Sequence, residues 1–109
     1  MKNAKAIQNV IKMKATLQSL GFLETGIEEP PLETSRWVYP CWPEKIVVTF
    51  GELPSGTGFC CFTWYRDAEN FSMIPFDLQE DNSDLVRVEA LEIVVREHLE
   101  NLPKVTVVG

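Results

Sequence analysis

The chain has 109 residues, 45% hydrophobic and 24% charged, with three cysteines, one histidine and a formal net charge of −6. That length supports a single domain, 1–109, built around one core. The acidic balance excludes an electrostatic grip on DNA or RNA, which rests on Lys and Arg displacing phosphate counterions; no run approaches the roughly 18 apolar residues of a membrane span.

In chain order, the spacing first predicts a helix over 3–20. Ala4, Ile7, Val10, Ile11, Leu17 and Leu20 form a broad apolar arc, with Lys5, Gln8, Asn9, Lys12, Thr16 and Ser19 opposite. Gly21 stops it and Phe22 anchors the exit. Lys14 and Gln18 interrupt the arc, which favours packing on a core over lying on a lipid surface. The lysines also break any stretch resembling a signal peptide. Together with an odd number of cysteines, this predicts a cytoplasmic protein with free thiols.

Leu23–Ser35 reads as a solvated connector, with Pro30–Pro31 excluding helix and Glu24, Glu28, Glu29 and Glu33 favouring water. The chain then becomes aromatic and β-branched. "RWVYPCWP" predicts an edge strand interrupted by prolines. "KIVVTF" from Lys45 predicts a strand, "GELPSGTG" a hairpin loop and "FCCFTWY" the returning strand. "FSMIPFDL" after a turn adds one more. "QEDNSD" predicts a second helix from Asp84 to Asn101, capped by Asn82 or Ser83. Its apolar stripe is Leu85, Val88, Leu91, Val95, Leu99 and Leu102, with a smaller second face of Val86, Ala90 and Ile93. Pro103 ends it, and "KVTVV" predicts a final strand. The expected fold is α+β: a two-layer, antiparallel meander of about four to five strands with an N-terminal and a C-terminal helix, in the order α-β-β-β-β-α-β.

The stretch "FCCFTWYR" (59–66) raises the question of a thiol or metal site. In a strand, neighbours point to opposite faces. Cys60 therefore sides with Phe62 and Trp64, and Cys61 with Phe59, Thr63 and Tyr65. Zinc wants four ligands at characteristic spacing; His98 and Cys41 do not complete such a set, so neither a metal nor another cofactor is expected. His98 borders the apolar stripe of the second helix and reads as a packing residue. "GELPSGTG" lacks the lysine of a phosphate loop.

Both faces of the predicted sheet are apolar, with Ile46, Val48 and Phe50 alternating with Val47, and two helices cover one face. The other face is left for the connector, a second subunit or a ligand. Trp37, Tyr39, Trp42 and Trp64, with Arg36 and Arg66 flanking aromatic runs, are the candidate binding residues; Val86, Ala90 and Ile93 are the candidate dimer contact. These features predict a small acidic, non-catalytic accessory protein of the chaperone, immunity-protein or inhibitor kind. It would act through protein–protein contact with a basic partner, as a homodimer and without binding nucleic acid or membrane. The alternative is a small-molecule-binding domain, or a small enzyme using a carboxylate or His98, with an aromatic-lined pocket.

Overall fold

In the computed structural model, which describes residues 3–26, 33–39, 45–66, 69–79 and 86–101, the chain opens with helix α1 (Ala4–Ser19). Asn3 caps it, its Oδ1 accepting from the Ala6 N–H at 3.1 Å. At the far end the Phe22 N–H donates to the Leu17 carbonyl at 3.0 Å and the Gly21 N–H to the Gln18 carbonyl at 3.2 Å. Gly21 sits at φ 97°, a left-handed conformation that favours a residue without Cβ. The turn delivers Phe22 into the core at 2% exposure.

The buried face of α1 is Ala6, Met13 and Leu17, with Val10 and Leu20 packed against it. The expected arc is thus rotated: Ala4 is exposed, and Ile7 and Ile11 are 41% and 65% exposed. Ala6 is a small side chain that allows close approach of the helix backbone, and Met13 is flexible enough to fill the space beside it.

Among the described residues six strands follow: β1 (Leu23–Thr25), β2 (Glu33–Tyr39), β3 (Lys45–Glu52), β4 (Gly58–Tyr65), β5 (Phe71–Asp77) and β6 (Val86–Arg87). A 3₁₀ turn (Val88–Ala90) then leads into helix α2 (Leu91–Glu100). The strands lie side by side in chain order, β1 to β5 antiparallel and β6 added parallel to β5. The α+β antiparallel meander with a helix near each end is therefore the fold.

Three local expectations change. Leu23–Thr25 is not connector: it pairs with β2, Leu23 opposite Val38 and Thr25 opposite Arg36. Glu33–Ser35 likewise belongs to β2. The second helix starts at Leu91 rather than Asp84, because Val86-Arg87 continues the sheet, Val86 beside Phe76 and Arg87 beside Asp77. Val86, Ala90 and Ile93 consequently form no common helical face; Ala90 packs against the core while Ile93 is 61% exposed. The expected strand at 104–108 and the caps at Asn82 and Ser83 lie outside the described residues, as do Cys41 and Trp42.

Register divides the sheet into two faces. The first carries Trp37, Ile46, Val48, Phe50, Cys60, Phe62 and Phe76, joined by Leu91 and Val95 of α2 and the buried residues of α1 in one core. Trp37 sits there because its indole N–H has a partner, donating to Ser35 Oγ at 2.6 Å. Both described helices pack on this face. The second face is built from the alternate residues of the same strands.

Candidate functional site

The second face, free of both described helices, reads as cross-strand rows. One row runs Arg36, Thr49, Cys61, Pro75; the next runs Val38, Val47, Thr63, Met73. Gly51 stands between Glu33 and Phe59 in a third. The middle of the face is thus floored by short side chains, namely Thr49, Cys61 and Thr63, with Gly51 beside them on the same face. Longer ones stand around them: Glu33 and Arg36 on β2, Phe59 and Tyr65 on β4, Met73 on β5. The result is a trough of about 320 Å³, extending roughly 20 Å along β4 at the rise of a strand. Thr49 and Thr63, at its bottom, are 9% and 6% exposed.

One wall depends on an irregularity of β2. Glu33 and Arg36 are three apart and in a regular strand would point to opposite faces. The register shifts between Glu33 and Ser35, so that Thr34 is an extra residue, and its Oγ1 donates to the Phe50 carbonyl at 3.3 Å. This bulge turns Glu33 onto the same face as Arg36. The two meet at 2.6 Å, with side chains 10% and 14% exposed. Bulges that re-aim one side chain recur beside functional sites.

Cys61 lies on the trough floor, 4.0 Å from Thr63 Oγ1, while Cys60 faces the core on the other side. Burial pushes the Cys60 thiol far above its ordinary range, and the neighbouring Cys61 charge adds to the effect. Burial also raises Cys61, partly offset by the hydrogen bond with Thr63. Both sulfurs are therefore held protonated, the opposite of what a reactive thiolate needs.

The other sequence candidates are dispersed. Trp37 is core, and Tyr39 packs its ring 5.4 Å from Phe22 on the helix-covered face. Arg36 is on the opposite face from both. Trp64 and Arg66 do come together, the guanidinium 4.8 Å from the indole centroid. His98 completes that cluster, its ring 5.1 Å from Trp64 and 4.8 Å from Phe62. Its Nδ1 lies 2.8 Å from the Val94 carbonyl; a carbonyl only accepts, so the proton is on Nδ1. A small recess of about 170 Å³ opens between Trp64, Glu97, His98 and Asn101. Among the described residues no group of three His, Cys, Asp or Glu is placed to hold a metal ion, and no described helix is long and apolar enough to cross a membrane.

The sequence does not single out the trough residues as a set, because the aromatic residues beside them dominate its pattern. The available signal was the alternation of short residues, Thr49 with Gly51 and Cys61 with Thr63, on neighbouring strands. Comparison with protein-family models, with curated proteins and with solved structures gives no match.

Proposed function

We propose that this chain is a non-catalytic binding protein that holds a small molecule in the trough on its helix-free sheet face. The observation that carries the reading is the trough itself: a concavity of about 320 Å³ with polar groups on a partly apolar wall, within the usual range for small-ligand sites of roughly 300–1,000 Å³. Fold alone implies no activity; the argument rests on this site. The raised thiols and the packed, hydrogen-bonded His98 suit a binding role better than a catalytic one.

A second reading is the homodimer expected from the sequence. Phe71 and Met73, two apart on β5 and on the same face, are 54% and 57% exposed, and Phe71 has its ring 5.6 Å from Tyr65. Such a patch suits burial against another surface. Its occupant under this reading is a second copy of the chain. The described strands and helices are close to charge balance, the negative excess falling in joining segments such as Glu28, Glu29, Glu80 and Asp81, so the net charge of the described elements does not oppose pairing of two copies. A basic protein partner would be drawn to those joining segments.

Native mass spectrometry of gently purified protein separates the readings. A monomer carrying a co-purified small molecule, lost in a Cys61→Phe variant that fills the floor, is the expected result. A clean dimer without adduct, dissociated by Met73→Asp, overturns it in favour of the second reading. A bare monomer that stays bare after incubation with the small-molecule fraction of a cell extract overturns both.

A further inference from the structure

The two edges of the sheet are protected unequally. β1 closes one side with three residues, Glu24 in their middle. On the other side β6 pairs with β5 at Phe76 and Asp77, so residues 71–75 of β5 have no strand on their outer side among the described residues. Sheet edges are normally blunted by shortness, charge or a bulge. Here Phe71, Ser72, Met73 and Ile74 carry no charge, and the first three are exposed. Hydrogen-bond alternation decides which groups this edge offers. The Arg66 N–H donates to the Asn70 carbonyl at 2.8 Å, which makes 66 and 70 a hydrogen-bonded pair. Such pairs alternate along an antiparallel ladder, so Trp64–Ser72 and Phe62–Ile74 are the next two. Phe71 and Met73 therefore aim both N–H and C=O outward. Pro75 shares their orientation, where its missing N–H costs the ladder with β4 nothing.

From this we infer that the β5 edge pairs antiparallel with the same edge of a second copy, joining two sheets across a twofold axis. The inference goes beyond both readings above, since the contact is a strand edge rather than the sheet face. The edge is complementary to itself in one register: Phe71 opposite Met73 of the second copy, Ser72 opposite Ser72, Met73 opposite Phe71. Each Phe71–Met73 pair exchanges both its N–H···O bonds, so every outward donor of the two edges is used. A register two residues further on sets Asn70 opposite Phe76, where β6 already lies. Opposed residues share a face, so the Phe71 ring meets the Met73 sulfur on the helix-free side. On the other side two small, exposed Ser72 side chains meet without a clash. Met73 also lines the trough. The second copy's Phe71 thus backs that wall, and the trough stays open. A contact this short falls below roughly 1,200 Å² of buried surface, the range of weak, transient pairing. It leaves a monomer at about 20 µM and gives a dimer near about 1 mM.

The test combines sedimentation of the full-length protein over that concentration range with hydrogen exchange of ¹⁵N-labelled protein. In dilute samples the Phe71 and Met73 amides should exchange fast, and those of Ser72 and Ile74 slowly. Concentrating the protein should slow the first two by about tenfold, as a dimer with a minor open fraction requires. Ser72→Lys and Ser72→Asp each set like charges opposite one another across the axis and should abolish the dimer. Mixing the two variants should restore it. The same spectra report whether each variant is folded. Ser72 points away from the face of Phe71 and Met73, so a dimer made through that face would ignore both changes. Association that survives Ser72→Lys but is lost in Met73→Asp therefore overturns the edge pairing and supports the face-to-face dimer. Slow exchange at Phe71 and Met73 in the dilute monomer means the chain covers its own edge, and also overturns the pairing. Association at no concentration overturns it too, and leaves the trough reading as it was.

Discussion

The two faces of the sheet are made by the same strands and obey different rules. On the helix-covered face, Val48, Phe50 and Phe62 are at most 1% exposed, and side-chain volume is the currency: each residue fills space against α1 or α2. On the helix-free face, Thr49, Gly51, Cys61 and Thr63 are short, the large residues stand at the margin, and a charge pair is built into the wall. Alternation in β3 and β4 thus encodes packing at even positions and a shaped recess at odd ones. A single strand pair specifies both the core and the candidate site.

The sharpest way to break this comparison is to truncate neighbours that face opposite ways. Phe62→Ala should cost about 3–5 kcal/mol, because it leaves a cavity among residues that cannot collapse fully, and a domain of this size has only about 5–15 kcal/mol in total. Thr63→Ala, one residue on, should cost well under half of that. Urea unfolding of both variants measures the difference; equal costs would mean that the helix-free face is packed like a core and is no recess.

The cysteines give the next largest contrast. In a Cys41→Ser background, a thiol reagent at pH 8 should label Cys61 slowly and Cys60 more slowly still, while the unfolded chain reacts at both. The same shifts carry a pH consequence. Folded-state pKa values raised by burial mean that the folded chain keeps protons which unfolded thiols lose near pH 8.5. Stability therefore holds below that pH and falls as pH rises through and beyond it. Denaturant midpoints at pH 7 and pH 10, compared with Cys60→Ala, test the sign: wild type should lose more than the variant.

Much of this division was legible in the sequence. The strands at 45–50, 59–65 and 71–78 follow from alternation and turn residues, and the opposite orientation of Cys60 and Cys61 follows from strand geometry alone. What escaped has identifiable physical causes. Leu23–Thr25 is too short for periodicity to show, and its pairing is set by distant Arg36, Trp37 and Val38. Val86-Arg87 fits a helical stripe as readily as a strand; the open edge of β5 decides. The rotation of α1 turned on Ala6, a residue whose smallness carries little weight in a hydrophobic count. The site was the least legible part, because Glu33 and Arg36 share a face through a bulge that no spacing rule announces. The short residues at Thr49, Gly51, Cys61 and Thr63 were visible, but adjacent tryptophans and prolines suggested a site elsewhere.

The smallest expected effect separates margin from floor on the helix-free face. Met73 is 57% exposed, so Met73→Ser should change stability by no more than about 0.5 kcal/mol, as surface substitutions away from packed features do. Its flank of the trough is nonetheless lowered, since no other β5 side chain lines the site. Binding of a small molecule that co-purifies in the trough should therefore weaken by several-fold while the urea midpoint stays where it was. A drop in stability without loss of binding would place Met73 among the structural residues and move the recess boundary toward β4. The uncoupling of the two readouts is what a marginal wall residue predicts, and a core residue such as Phe62 cannot show it.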